Sequence, residues 1–179
     1  MKGIVFTEFF ELIEELHDYE MVDRVIQESK VESGGNYTAI GSYDFQELVK
    51  LLSTYSNISG NSIDTSLRLF GHKLLKAFNS GYGGFFEPYD SARDFLKTVD
   101  STIHVEVYKL YPDAELPSIQ VEEINDHSFK LTYRSSRALG ALALGLIEAT
   151  FELYEDPHST EIESTSEKGD EIVFLCKRI

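Results

Sequence analysis

Apolar residues recur at helical spacing up to about residue 110, and at every second position soon after. Val5, Phe9, Leu12 and Leu16 form one stripe of an N-terminal helix whose other face carries glutamates. A second short helix is predicted over 20–29, followed by a loop at 33–37, SGGNY. A third starts near Asp44 and runs through Leu48, Leu52 and Tyr55, and SNISGNS at 56–62 ends it. A fourth carries Ile63, Leu67, Phe70 and Leu74 to about Phe78. Gly71 sits inside it at a cost of about 1 kcal/mol against alanine, which marks a bend or a close contact. The glycine-rich stretch 79–90 reads as a loop. A long helix over 91–110 then shows Phe95, Val99, Ile103, Val107 and Leu110 on one side. YPDAELP, 111–117, stops it with two prolines.

Beyond residue 117 the period changes to two. SIQVEEI (118–124) and SFKLTYRSSR (128–137) read as strands joined by NDH, 125–127. A helix follows over about 138–153, and the tail holds a second hairpin about Lys168, Gly169 and Asp170. The fold class is α+β: a helical N-terminal lobe, then an antiparallel sheet with helices. A chain of 179 residues fits one domain, with lobes at about 1–60 and 61–179.

Charge narrows the partners. The formal net charge of −15 repels phosphate backbones and anionic lipid, so neither nucleic acid nor membrane is expected as a partner. The lone cysteine, Cys176, excludes an internal disulfide and a cysteine-rich zinc site. Glutamates at 8, 11, 14 and 15 interrupt the first apolar run, so it does not read as a signal peptide, and no run is long enough to span a bilayer. A cytoplasmic location is expected.

Two features carry candidate chemistry. Tyr133, Ser135 and Arg137 alternate, and on a strand they would share a face. Two hydroxyls and a guanidinium fork suit a carboxylate, although an exposed strand face with a surface ion pair would look the same. Next come ten residues, Ala138–Ile147, without a polar side chain. His104 lies on the border of the apolar stripe of the 91–110 helix. It is either a core histidine bonded to a backbone carbonyl or an axial ligand facing a cavity. No other histidine stands at ligand spacing from it. Together, an imidazole, a carboxylate clamp and an apolar slot meet the three needs of a haem.

The sequence resembles the H-NOX (haem nitric oxide/oxygen binding) family, which also supplies the sensor domain of soluble guanylate cyclases. The likeness starts at MKGIVFTEF and continues through LRLFGHKLLKAF (67–78) and IHVEVYKLYPDAELP (103–117). It closes with the family's Y-x-S-x-R motif, Tyr133 to Arg137, and with LGLIEA (144–149). The resemblance implies haem b (protoporphyrin IX iron) buried between the lobes. It implies His104 as the proximal iron ligand, with Tyr133, Ser135 and Arg137 bonded to the propionates. Val5 and Pro117 would press on the porphyrin, and Phe9, Leu74 and Leu142 would complete the pocket.

In oxygen-binding members a tyrosine reaches the bound gas from the position matching Leu142, and a second polar position matches Leu74. The wall here offers no donor. The resemblance therefore implies a gas sensor that takes nitric oxide and carbon monoxide at five-coordinate ferrous haem and discriminates against oxygen. It implies no enzyme activity, a stand-alone bacterial member, and signalling by conformational change to a separate protein such as a histidine kinase or a cyclic-di-GMP enzyme. Gly71 is a candidate hinge, as is Ala149, where the family usually has glycine. Two other readings stay open: a haem-free module that binds a partner's carboxylate, and a haem enzyme such as a peroxidase.

Overall fold

The computed structural model describes all 179 residues. Helices α1 (Gly3–Leu16), α2 (Tyr19–Ser29), α3 (Phe45–Ser59) and α4 (Ile63–Tyr82) come first. Three of them start where a short polar side chain caps free backbone N–H groups. Asp18 accepts from the Met21 amide at 2.9 Å, Asp44 from Gln46 at 2.9 Å, and Ser62 from Thr65 at 3.1 Å. Left-handed residues stop two: Lys30 after α2 and Gly60 after α3. Leu16 ends up exposed, so the stripe of α1 shifts to Val5, Phe6, Phe9, Leu12 and Ile13.

Helix α4 runs four residues further than the periodicity predicts, to Tyr82. Gly81 and Gly83 meet nothing that requires glycine and Gly83 itself is helical, so this stretch extends the helix instead of forming a loop. The predicted helix over 91–110 is broken into three: α5 (Ala92–Thr98), a π-helical turn (Val99–Ile103) and α6 (His104–Leu110). Strand β1 (Ser118–Asn125) pairs with β2 (Ser128–Arg134), α7 spans Gly140–Leu153, and β3 (His158–Thr165) and β4 (Glu171–Arg178) close the chain. The sheet is antiparallel throughout, in the order β1-β2-β4-β3. The α+β architecture read from the sequence is the one observed.

Two hydrophobic cores form. The first gathers Phe6, Phe9, Ile13, Val25, Leu48, Leu51 and Tyr55 from α1 to α3. The second packs Phe129, Leu131, Phe174 and Cys176 of the sheet against Phe95, Ile147 and Phe151. Burial raises the Cys176 thiol to about 12, so it is an inert apolar filler. Helices α4 and α7 serve both cores: Leu67, Phe70, Leu74 and Leu142 face the first, Leu75, Ala143 and Ile147 the second. The first core thus reaches past residue 60. The two helices cross at Gly71 and Gly145. A Cβ on Gly71 would stand 2.5 Å from the Leu142 carbonyl oxygen, and one on Gly145 2.0 Å from that of Arg68. Gly71 therefore takes the second role its sequence left open, a close contact inside an unbroken helix. No helix is long and apolar enough to cross a membrane.

Candidate functional site

His104 is the first residue after the π-helical turn. One extra residue in that turn rotates the start of α6, and such turns recur at functional sites. The rotation puts the imidazole on the wall of a cavity and turns its other edge to Asp100. Nδ1 lies 2.9 Å from Asp100 Oδ1. That oxygen also accepts from the Ile119 amide at 2.9 Å, and Oδ2 accepts from the Ser118 hydroxyl at 3.0 Å. A carboxylate that receives this many donors takes the Nδ1 proton's bond as well, which leaves the Nε2 lone pair free. Burial lowers the His104 pKa below its ordinary 6.5, and Asp100 only partly opposes that. The ring is neutral, the state a metal ligand needs.

Tyr133, Ser135 and Arg137 do meet, but not as one strand face. Strand β2 ends at Arg134, and only Tyr133 belongs to it. Ser135 opens a turn closed by the Ala138 amide bonding back to the Ser135 carbonyl at 3.1 Å, and Ala138 adopts φ 50°. The Ser135 amide is held by the Asp170 carbonyl at 2.8 Å, so the second hairpin fixes this turn. Alternation suggested a longer strand because a turn of this kind also accepts short polar residues. The Ser135 Oγ accepts from the Arg137 amide at 3.2 Å, and the Tyr133 oxygen from the Leu139 amide at 3.3 Å. Both O–H groups keep their protons to give. Burial raises the Tyr133 pKa, so the phenol stays protonated. The Arg137 guanidinium donates to the Glu115 carbonyl and carboxylate, each at 2.7 Å, and sits 5.5 Å over the Phe45 ring.

His104, Tyr133, Ser135 and Arg137 all line one cavity of about 420 Å³, within the ordinary range for small-molecule and cofactor sites. Of its 37 lining residues 28 are hydrophobic, so the body of its occupant must be apolar. Val5, Leu74, Pro117 and Leu142 are on the wall. Phe9, expected there, is not. It is fully buried in the first core, edge-on to Phe70 at 5.3 Å and Tyr55 at 5.9 Å, because α1 turns that side toward α3 and α4. Ala149 is buried in the second core within unbroken α7, and it lines no cavity. Of the two buried hydroxyls on the wall, that of Tyr133 belongs to the rim and that of Thr150 donates to the Leu146 carbonyl of its own helix at 2.8 Å.

Sequence reasoning missed Asp100, whose signal was an aspartate one helical turn before a histidine. It also missed the mouth of the cavity, where Lys2 meets Asp113 at 3.2 Å and Ser42 at 2.7 Å. A free imidazole nitrogen, an apolar slot and a polar rim with the Arg137 and Lys2 cations fit a haem's iron, ring and carboxylates.

The family model for haem-NO-binding domains matches residues 2–162. No curated protein matches the chain. An unliganded Fe(II) H-NOX protein from K. algicida is 39% identical with a TM-score of 0.93, the match covering 100% of this chain and 97% of that one. The IWP-051-bound H-NOX from Shewanella woodyi in the Fe(II)CO ligation state is 35% identical, TM-score 0.85, covering 100% and 95%. An H-NOX protein from S. oneidensis in the Fe(II)NO ligation state shares the fold at 20% identity, TM-score 0.91, covering 100% and 99%. The chain belongs to the haem-NO-binding (H-NOX) family, whose members are haem-based gas sensors.

Proposed function

We propose that this chain holds haem b in the cavity between its two cores and senses nitric oxide there. The observation that carries the reading is the convergence of His104, with Nδ1 engaged and Nε2 free, and the Tyr133, Ser135 and Arg137 rim on one apolar cavity. His104 is the iron ligand. The Tyr133 and Ser135 hydroxyls and the Arg137 guanidinium bind the propionates, charge-assisted bonds of the strong class. Val5 and Pro117 press on the ring. Bound there, haem supplies the ferrous iron that takes a gas.

Selectivity follows from what the wall does with its polar groups. Oxygen is retained on ferrous iron by a hydrogen-bond donor, whereas nitric oxide and carbon monoxide need none. Leu74 and Leu142 give no donor, and Thr150 spends its proton on Leu146. A polar ligand left unpaired in such a cavity is disfavoured by about 1–3 kcal/mol. The protein therefore takes nitric oxide and carbon monoxide and discriminates against oxygen.

The signal is a shift between the helical and the sheet-bearing lobes, read by a separate protein such as a histidine kinase or a cyclic-di-GMP enzyme. A surface of net charge −15 suits a basic docking face.

Reconstitution with haem tests the assignment of the ligand. The wild-type protein should take up one haem per chain with an intense Soret band. His104→Gly should lose it and regain it when imidazole is added. Equal haem retention by His104→Gly without imidazole would reject His104 as the ligand.

A further inference from the structure

We infer that Asp100 is a positioning residue that sets the strength of the bond His104 makes to iron. The inference rests on the reading of His104 as ligand. Its basis is a convergence of three partners from two chain segments on one carboxylate. Oδ1 takes the Nδ1 edge of His104 in α6 and the Ile119 amide, and Oδ2 takes the Ser118 hydroxyl. A surface aspartate on a helix has no need of three partners. The i, i+4 spacing sets Asp100 beside His104, and what an ordinary helix-surface pair lacks is the start of β1, whose Ser118 and Ile119 close on the same carboxylate.

This arrangement has two effects. The ring is held at a fixed rotation, its Nε2 lone pair aimed by bonds to strand β1. In addition, an anionic acceptor at Nδ1 pushes electron density to Nε2 and makes it a stronger donor to the metal. With haem bound, both would oppose loss of the bond between His104 and iron, so Asp100 would set how readily the sensor switches. Because Ser118 and Ile119 share the carboxylate, any movement of His104 also reaches the start of the sheet.

Charge and position can be separated. In Asp100→Asn the amide oxygen can still accept from Nδ1 and from Ile119, but the negative charge is gone. In Asp100→Ala both are lost. The measurements are the iron–imidazole stretching frequency of the ferrous protein by resonance Raman and the haem dissociation constant, with circular dichroism to confirm folding. Asp100→Asn should lower the frequency and leave haem affinity within severalfold of wild type. Asp100→Ala should lower the frequency and weaken haem binding by about 10–100-fold, the usual effect of losing a partner of this kind. Folded variants with the wild-type frequency and affinity would overturn the role of Asp100 and leave the haem reading standing. A wild-type protein that takes up no haem would overturn both.

Discussion

His104 is neutral because it is buried, and its proton sits on Nδ1 because Asp100 is there to accept the bond. That has a consequence for stability. The folded-state pKa lies below the ordinary 6.5, so in the window just under 6.5 the unfolded chain binds the extra proton. Stability from this group is complete above 6.5 and falls as the pH drops through the window. Melting temperatures of the haem-free wild type and haem-free His104→Gln across that range should show wild type losing the more stability toward acid. Parallel curves would contradict the neutral assignment. His104, Tyr133, Ser135 and Arg137 could be picked out of the sequence by residue type and spacing. Asp100 could not, since an aspartate one turn from a histidine is also an ordinary helix-surface pair. Phe9 was misplaced because helical spacing tells which residues share a stripe, not which neighbour that stripe meets.

At the scale of elements, the patterns predicted helices and strands where they occur but erred at their junctions. The long helix ahead of His104 contains a π turn, and no apolar period announces a one-residue insertion. The Tyr133–Arg137 alternation spans a strand end and a turn. The crossing of α4 and α7 depends on two glycines, of which only Gly71 stands out in the sequence, and there it is a packing point between the helices. Gly145 has less room than Gly71. Gly145→Ala should push the helices apart at the Arg68 carbonyl and destabilise the fold by about 1–3 kcal/mol, as overpacking does. In a chain of this size that lowers the melting temperature by about 2–4 °C for each kcal/mol. An unchanged melting temperature would mean that the helices have slack at their crossing.

The whole molecule is two cores sharing two helices, with the cavity at the seam. One wall is built from α4 and α7, another from the His104 helix, and the rim from the turn after β2. The α+β class and its order along the chain were legible because the period first switches near Pro117, and switches again around the helix at about 138–153. The seam was not legible, because apolar positions alone do not say which of two cores they join. The central claim is a haem pocket whose gas side has no hydrogen-bond donor. The absorption spectrum of the reduced protein tests it most directly, recorded under argon, nitric oxide, carbon monoxide and air. The account predicts a Soret band that shifts under nitric oxide and carbon monoxide, with no stable oxygen complex under air. A lasting oxygen complex in air, or a reduced protein whose spectrum ignores nitric oxide, would contradict it.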